Sequence, residues 1–333
     1  MTKIEYLRGQ MAAHPATCPQ DLLKHSYQAA FGAEHLLTDA EAAKRYFDEE
    51  FAAVAPREGE LCEVISDHVC RVYLDVWKQK GLPAEWLFSL FIQSKPQRES
   101  IGEWLDAVEE LTGEPIDGAY RNAPHPVHHS EEYRKAEKPS YRVVSRYLCR
   151  LIPILEKMGR VTAIDGRAAA GKTTLAKELA DVTGAYVIHM DDFFLPPALR
   201  TPERLGEPGG NVHYERFAAE VLPGLSSGET FSYRVFSCSR MDYDGAREIP
   251  AAPVRIVEGS YSSHPKFGRY ADLTVFVTAG EETRLARIAA RDGEKYLPAF
   301  REKWIPMEEA AFAAFSTETA ADVCIETDKY PAF

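Results

Sequence analysis

Gly166-Arg167-Ala168-Ala169-Ala170-Gly171-Lys172-Thr173 is a complete G-x-x-x-x-G-K-[ST] phosphate loop, and Thr174 follows it. Its flanks suit the motif. Val161-Thr162-Ala163-Ile164 is a short β-branched, apolar run that predicts a buried strand. Leu175, Leu179 and Val182 recur at helical spacing over Thr173–Thr183, and Gly184 closes that segment. The glycines let successive N–H groups curl around phosphate oxygens, and the helix that follows offers its positive N-terminal end. Lys172 can then reach the β- and γ-phosphates, and the Thr173 hydroxyl can ligate Mg²⁺.

Working outward, strand-like runs alternate with helical stretches. They are 161–165, Tyr186-Val187-Ile188, Arg255-Ile256-Val257, Leu273-Thr274-Val275-Phe276-Val277 and Val323-Cys324-Ile325. Strands spaced by helices predict a parallel sheet, so the fold class is α/β, a P-loop NTPase-type parallel sheet flanked by helices. Upstream the chain reads as mainly α-helical, from the spacing of Leu22, Tyr27 and Phe31, and of Val72, Leu74, Val76 and Trp77. Ser140–Met158 reads as one amphipathic helix after Pro139. The expected division is a helical domain over 1–145, a connecting helix over 146–158 and a P-loop domain over 159–333. Trp77, Trp86 and Trp104 are expected to pack the helical core or a domain interface.

The 333 residues suffice for two domains, and the net charge of −12 gives no general attraction to nucleic acid or anionic membrane. The six cysteines form no C-x-x-C pair and are expected to be reduced thiols, which suggests a cytoplasmic protein. No leader segment and no run of about 18 apolar residues is evident.

A phosphate loop implies a nucleoside triphosphate without saying what becomes of it. His189-Met190-Asp191-Asp192-Phe193-Phe194 ends the second strand, where ligands of a parallel sheet gather. Either Asp191 or Asp192 could orient a hydroxyl and accept its proton. Glu258 ends the Arg255–Val257 strand and suits a metal-supporting carboxylate. Over Glu281–Asp292, Arg284, Arg287 and Arg291 fall on one helical stripe, fit to neutralise a transferring phosphoryl group, with Arg301 and Lys303 beyond. The plain alternative is a solvated face paired with acids. Asp242-Tyr243-Asp244-Gly245 matches D-x-x-G, but no N-K-x-D follows, which argues against a GTPase; Leu225-Ser226-Ser227-Gly228 is too close to the loop for a transporter signature.

Together these segments resemble the uridine kinase / phosphoribulokinase family of P-loop kinases over about residues 160–328. Asp191-Asp192-Phe193-Phe194 is similar to the family's D-x-F-[YF], which implies Asp191 as general base. Tyr233-Arg234-Val235-Phe236-Ser237-Cys238-Ser239-Arg240 is similar to its Y-D-F-x-x-H-S-R substrate segment, implying Tyr233 and Arg240 as acceptor contacts. Val257-Glu258-Gly259, Thr283–Arg287 and Ala321–Ile325 are similar to its E-G strand end, arginine lid and last strand. The resemblance implies a kinase using ATP and Mg²⁺ to phosphorylate a hydroxyl of a nucleoside or similar metabolite. Lys172, Asp191, Arg287 and Arg291 would be catalytic, Gly166–Thr174 would bind nucleotide, and Thr173 and Glu258 would bind metal. Cys238 stands where nucleoside kinases carry a base-holding His, and Pro208–Tyr214 lacks the family's ribose-binding Asp, which leaves His213 as the candidate contact there.

The first half resembles no known family. His125, His128 and His129, with Glu131 and Glu132 behind and Glu34-His35 as a guessed neighbour, fit a hydrogen-bonded loop better than a metal site. The alternative to a kinase is a nucleotide-gated regulatory or assembly module whose helical half binds a protein or a second copy of the chain.

Overall fold

The computed structural model describes residues 1–33, 36–37, 39–94, 99–137 and 140–329. Glu34 and His35 lie outside them. The chain divides into two compact units, Met1–Ile152 and Pro153–Phe333.

The first unit is helical, as the spacing predicts, but not entirely. Thr2 caps Lys3–Ala13 reciprocally with Glu5, and Pro19 opens Pro19–Phe31 at a position whose N–H needs no partner. These two helices pack on Gly102–Thr112 around Leu7, Leu22, Ala30, Trp104 and Val108. Trp77 and Trp104 are buried, and the Trp77 indole donates to Pro83 O at 3.0 Å. Trp86 is half-buried.

A three-stranded antiparallel sheet, unforeseen in the sequence, completes this unit: β1 (Cys62–Val64), β2 (Val69–Tyr73) and β3 (Tyr141–Ser145), in that order. Val72 is therefore a strand residue and only Leu74–Gln79 is helical. β2 is buried on both faces over its first four residues, so it lacks the alternation that marks a half-exposed strand. The expected helix over 140–158 is likewise replaced by β3 and two short helices, Arg146–Cys149 and Ile152–Leu155. β-Branched Val143 and Val144 favour the strand, and the Ser145 hydroxyl then caps a helix by accepting from Leu148 N.

The second unit holds a five-stranded parallel sheet. Its strands are β4 (Val161–Gly166), β5 (Tyr186–His189), β8 (Arg255–Glu258), β9 (Leu273–Thr278) and β10 (Val323–Glu326), in the spatial order β10-β9-β4-β8-β5. All five match the sequence expectation to within a residue at either end. β4 is central and fully buried, as a strand covered on both faces must be. Ile164 pairs with Glu258 and Gly166 with Val277, which brings the ends of β4 and β8 side by side. Between β5 and β8 the chain forms an antiparallel hairpin, β6 (Phe231–Ser237) and β7 (Asp242–Ile249), packed on the 3₁₀ turn Met190–Phe193. Phe193, Phe217, Tyr233 and Phe267 close this side of the core. No helix among the described residues is long and apolar enough to cross a membrane.

Candidate active site

The phosphate loop leaves the C-terminal end of β4. Gly166 has φ +141°, and a Cβ there would sit 2.0 Å from the Val277 carbonyl oxygen, so only glycine fits against β9. Gly171, at φ +104°, starts the helix Lys172–Thr183, and no side chain caps that end. The first-turn N–H groups and the positive end of the helix are thus left for an anion. Lys172 folds back, its Nζ donating to Gly166 O at 2.7 Å and Arg167 O at 3.0 Å.

Thr173 and Glu258 meet as the sequence suggests. Thr173 Oγ1 donates to Glu258 Oε2 at 3.1 Å, and Glu258 Oε1 faces His189 Nδ1 at 2.5 Å. Glu258 is buried. Its hydrogen bond is the main reason the His189 pKa is raised, against the effect of burial. His189 was not foreseen, although it ends β5 two residues before Asp191.

The adjacent aspartates separate cleanly. Asp192 is buried, and its Oδ2 accepts from the Tyr233 hydroxyl at 2.8 Å and lies 3.6 Å from Arg247. Asp191 is exposed and carries no hydrogen bond to another described residue. Desolvation first, then the Glu258 charge, raises its pKa, while Lys172 and His189 oppose the rise. Cys238, at the tip of the β6–β7 hairpin, is near enough for the Asp191 charge to add to the effect of burial in raising the thiol pKa.

The three arginines expected to line one lid stripe take three different roles. Arg284 is buried, 4.0 Å from Glu309. Arg287 Nη1 donates to Ala169 O, Ala170 O and Thr327 Oγ1 at 3.2, 3.3 and 2.9 Å, bracing the phosphate loop. Arg291 is exposed beside Asp292 at 2.8 Å, within electrostatic range of Asp191. Arg301 and Lys303 are exposed. Arg167 points away from the cradle into Glu309 at 2.8 Å and Glu318 at 2.9 Å. Ala168 N donates to the buried Glu308 carboxylate at 2.9 Å, whose other oxygen accepts from Ser260 Oγ at 2.6 Å. No local pattern could have found Glu308, which reaches the loop from 140 residues away.

The expected acceptor contacts are only partly available. Tyr233 is 2% exposed and its hydroxyl is spent on Asp192, so it packs the core beneath the site. Arg240 is exposed at the hairpin tip and pairs with Asp244 at 2.6 Å. His213 occupies the N-cap position of Tyr214–Glu220 without a side-chain capping bond, and faces Glu215 at 3.1 Å.

The strand order and the loop geometry define the second unit as a P-loop NTPase-type α/β fold, a parallel sheet flanked by helices. Among solved structures, the chain is similar to a "putative fructose transport system kinase" from Silicibacter sp. TM1040. The two are 22% identical over 53% of this chain and 97% of that one, with a TM-score of 0.43. It is also similar to a "possible uridine kinase" from Bacillus stearothermophilus, 19% identical over 54% of this chain and 95% of that one, with a TM-score of 0.36. No family model matches the chain, and comparison with curated proteins yields no match.

Proposed function

We propose that the chain is an ATP-dependent phosphotransferase that phosphorylates a hydroxyl of a small metabolite. The observation that carries this reading is the junction of Thr173, Glu258 and His189 beside an open Asp191, at the mouth of a phosphate loop. The uncapped helix end and Lys172 suit a triphosphate tail. Thr173 and Glu258 are hard oxygen donors that would hold Mg²⁺, which would neutralise charge on the transferring phosphoryl group. Asp191, its basicity raised by desolvation, accepts the acceptor's hydroxyl proton. Lys172 and Arg291 offset the negative charge that spreads in the transition state. Arg287 acts through the loop carbonyls that it holds.

The acceptor is a nucleoside or another hydroxyl compound. Cys238 beside Asp191 disfavours a pocket that grips a base carbonyl, because a thiol is a weak donor. Incubation with γ-labelled ATP, Mg²⁺ and a panel of nucleosides, sugars and sugar phosphates tests the proposal: a labelled small product supports it. One observation favours the regulatory module instead, namely that Tyr233 and Arg240 are engaged within the protein. Binding of ATP without transfer to any acceptor would establish that reading.

A further inference from the structure

The amides of the phosphate loop do not all go to the same kind of acceptor. Arg167 N donates to Val277 O at 3.1 Å, a bond to the neighbouring strand β9. Ala170 N donates to Arg167 O at 3.1 Å and closes a turn of the loop on itself. Ala168 N, between them, donates to a side chain, the Glu308 carboxylate, at 2.9 Å.

Glu308 lies in the first turn of the helix Ile305–Phe315 and is buried. Its other oxygen accepts from Ser260 Oγ at 2.6 Å, two residues past the end of β8, and that hydroxyl also lies 3.5 Å from Gly166 O. The next residue of the helix, Glu309, pairs with Arg167 at 2.8 Å. Adjacent acids of one helix thus grip adjacent residues of the phosphate loop, and the two attachments fix the helix upon it.

The charge of Glu308 sets this contact apart from a simple brace. Among the described residues Glu308 makes no ion pair: Arg167 is committed to Glu309 and Glu318, and Arg284 lies 4.0 Å from Glu309. A buried carboxylate without a cation is unfavourable. Holding the loop in shape needs only an acceptor, which a neutral amide or hydroxyl supplies. What Glu308 adds is negative charge, placed on an amide of a loop whose sequence suits it to receive negative oxygens.

We propose that Glu308 is an internal competitor of the nucleotide, a carboxylate that holds the place of a phosphoryl oxygen at Ala168 N and gives it up when a triphosphate enters the loop. The proposal rests on the reading that this loop binds ATP. The two anions do not share the amide, because an N–H has one proton to donate and like charges at hydrogen-bond range repel. Nucleotide entry therefore exchanges the Ala168–Glu308 bond for a phosphate contact, and part of the binding free energy goes into lifting the start of the helix Ile305–Phe315 from the loop. Affinity is lower than the loop alone would give. Release of the product nucleotide is eased in turn, as Glu308 returns to its amide.

Titration calorimetry on the full chain, with ATP·Mg²⁺ and with inorganic tripolyphosphate, tests this. Glu308→Gln keeps the shape and an acceptor for Ala168 N but removes the charge. It should bind both ligands at least about tenfold more tightly than wild type. Adenosine, which brings no phosphate, should bind the two proteins within about twofold of each other. A residue that merely braces the loop would give the opposite sign, since its loss would weaken ATP binding. ATP binding by wild type with equal or weaker binding by Glu308→Gln, or an equal gain for adenosine, overturns this proposal alone. ATP binding by neither protein overturns it together with the phosphotransferase reading. Where thermal melting shows Glu308→Gln to be unfolded, Ser260→Ala decides: it releases the other carboxylate oxygen and should tighten ATP and tripolyphosphate by about threefold, and unchanged or weaker binding overturns the proposal.

Discussion

The Thr173 hydroxyl donates to Glu258 at 3.1 Å, which joins the first turn of the phosphate-loop helix to the end of the neighbouring strand β8. Both oxygens of the Glu258 carboxylate are engaged, one by Thr173 and one by His189. If the two residues share one metal-binding role, Thr173→Val and Glu258→Gln should each raise the Mg²⁺ concentration for half-maximal activity by at least about tenfold. The double variant should cost much less than the sum, since neighbours that act as a unit are not additive. Additive effects would separate the two residues.

Tyr233 supports Asp192 from within the core. Tyr233→Phe should therefore lower thermal stability, by about 1–3 kcal/mol, because it strips a donor from a buried carboxylate. The acceptor KM should change less than twofold. A large rise in KM with unchanged stability would return Tyr233 to the substrate.

Arg287 braces the loop through the carbonyls of Ala169 and Ala170. Arg287→Ala should weaken ATP binding by about tenfold or more in titration calorimetry, since hydrogen bonds to a charged group contribute about 1.5–3 kcal/mol. Turnover at saturating ATP should fall much less. The reverse pattern, intact affinity with lost turnover, would make Arg287 a direct partner of the reacting phosphoryl group.

The first unit should be acid-labile. Burial, the largest cause for both, pushes His25 and His129 down to about 3. Unfolded histidines take up a proton near pH 6.5, so between about 6.5 and 3 the unfolded state binds more protons and stability falls with pH. The slope reaches about 1.4 kcal/mol per pH unit for each group. His14, raised chiefly by its hydrogen bond to Glu63, works the other way, losing its stabilising effect as pH rises above 6.5. Hydrogen exchange over residues 1–152, corrected for intrinsic rates, should show lower protection at pH 5 than at pH 7, and His25→Gln should flatten the difference. Equal protection at both pH values would contradict the assignment of neutral buried histidines.

What could be read from the sequence follows from how local each signal is. Gly166–Thr173 carries its chemistry in consecutive residues, and the five parallel strands are short apolar runs bounded by helices, so both were legible. Asp191 and Glu258 could be put forward as candidates because strand ends are where ligands of a parallel sheet gather, and the structure has them at or just past such ends. Strands β1 to β3 escaped, because β2 is buried on both faces and β3 merges into the apolar spacing of the helices that follow. Glu308 and the Asp21–His129–Tyr141 series depend on contacts between distant segments, which no local pattern encodes. Tyr233 was assigned to the acceptor by resemblance, but burial decides its role. His129 was read within its loop as a hydrogen-bonded residue; its partners were out of reach.

The most direct measurement compares wild type with Asp191→Asn, pairing ATP·Mg²⁺ affinity by calorimetry with transfer of labelled phosphate to the best acceptor found. The account predicts ATP affinity within a few-fold of wild type and transfer reduced by at least about a hundredfold, as for loss of a general base. Undiminished transfer in the Asp191→Asn enzyme, or a wild-type chain that binds no ATP, would contradict it.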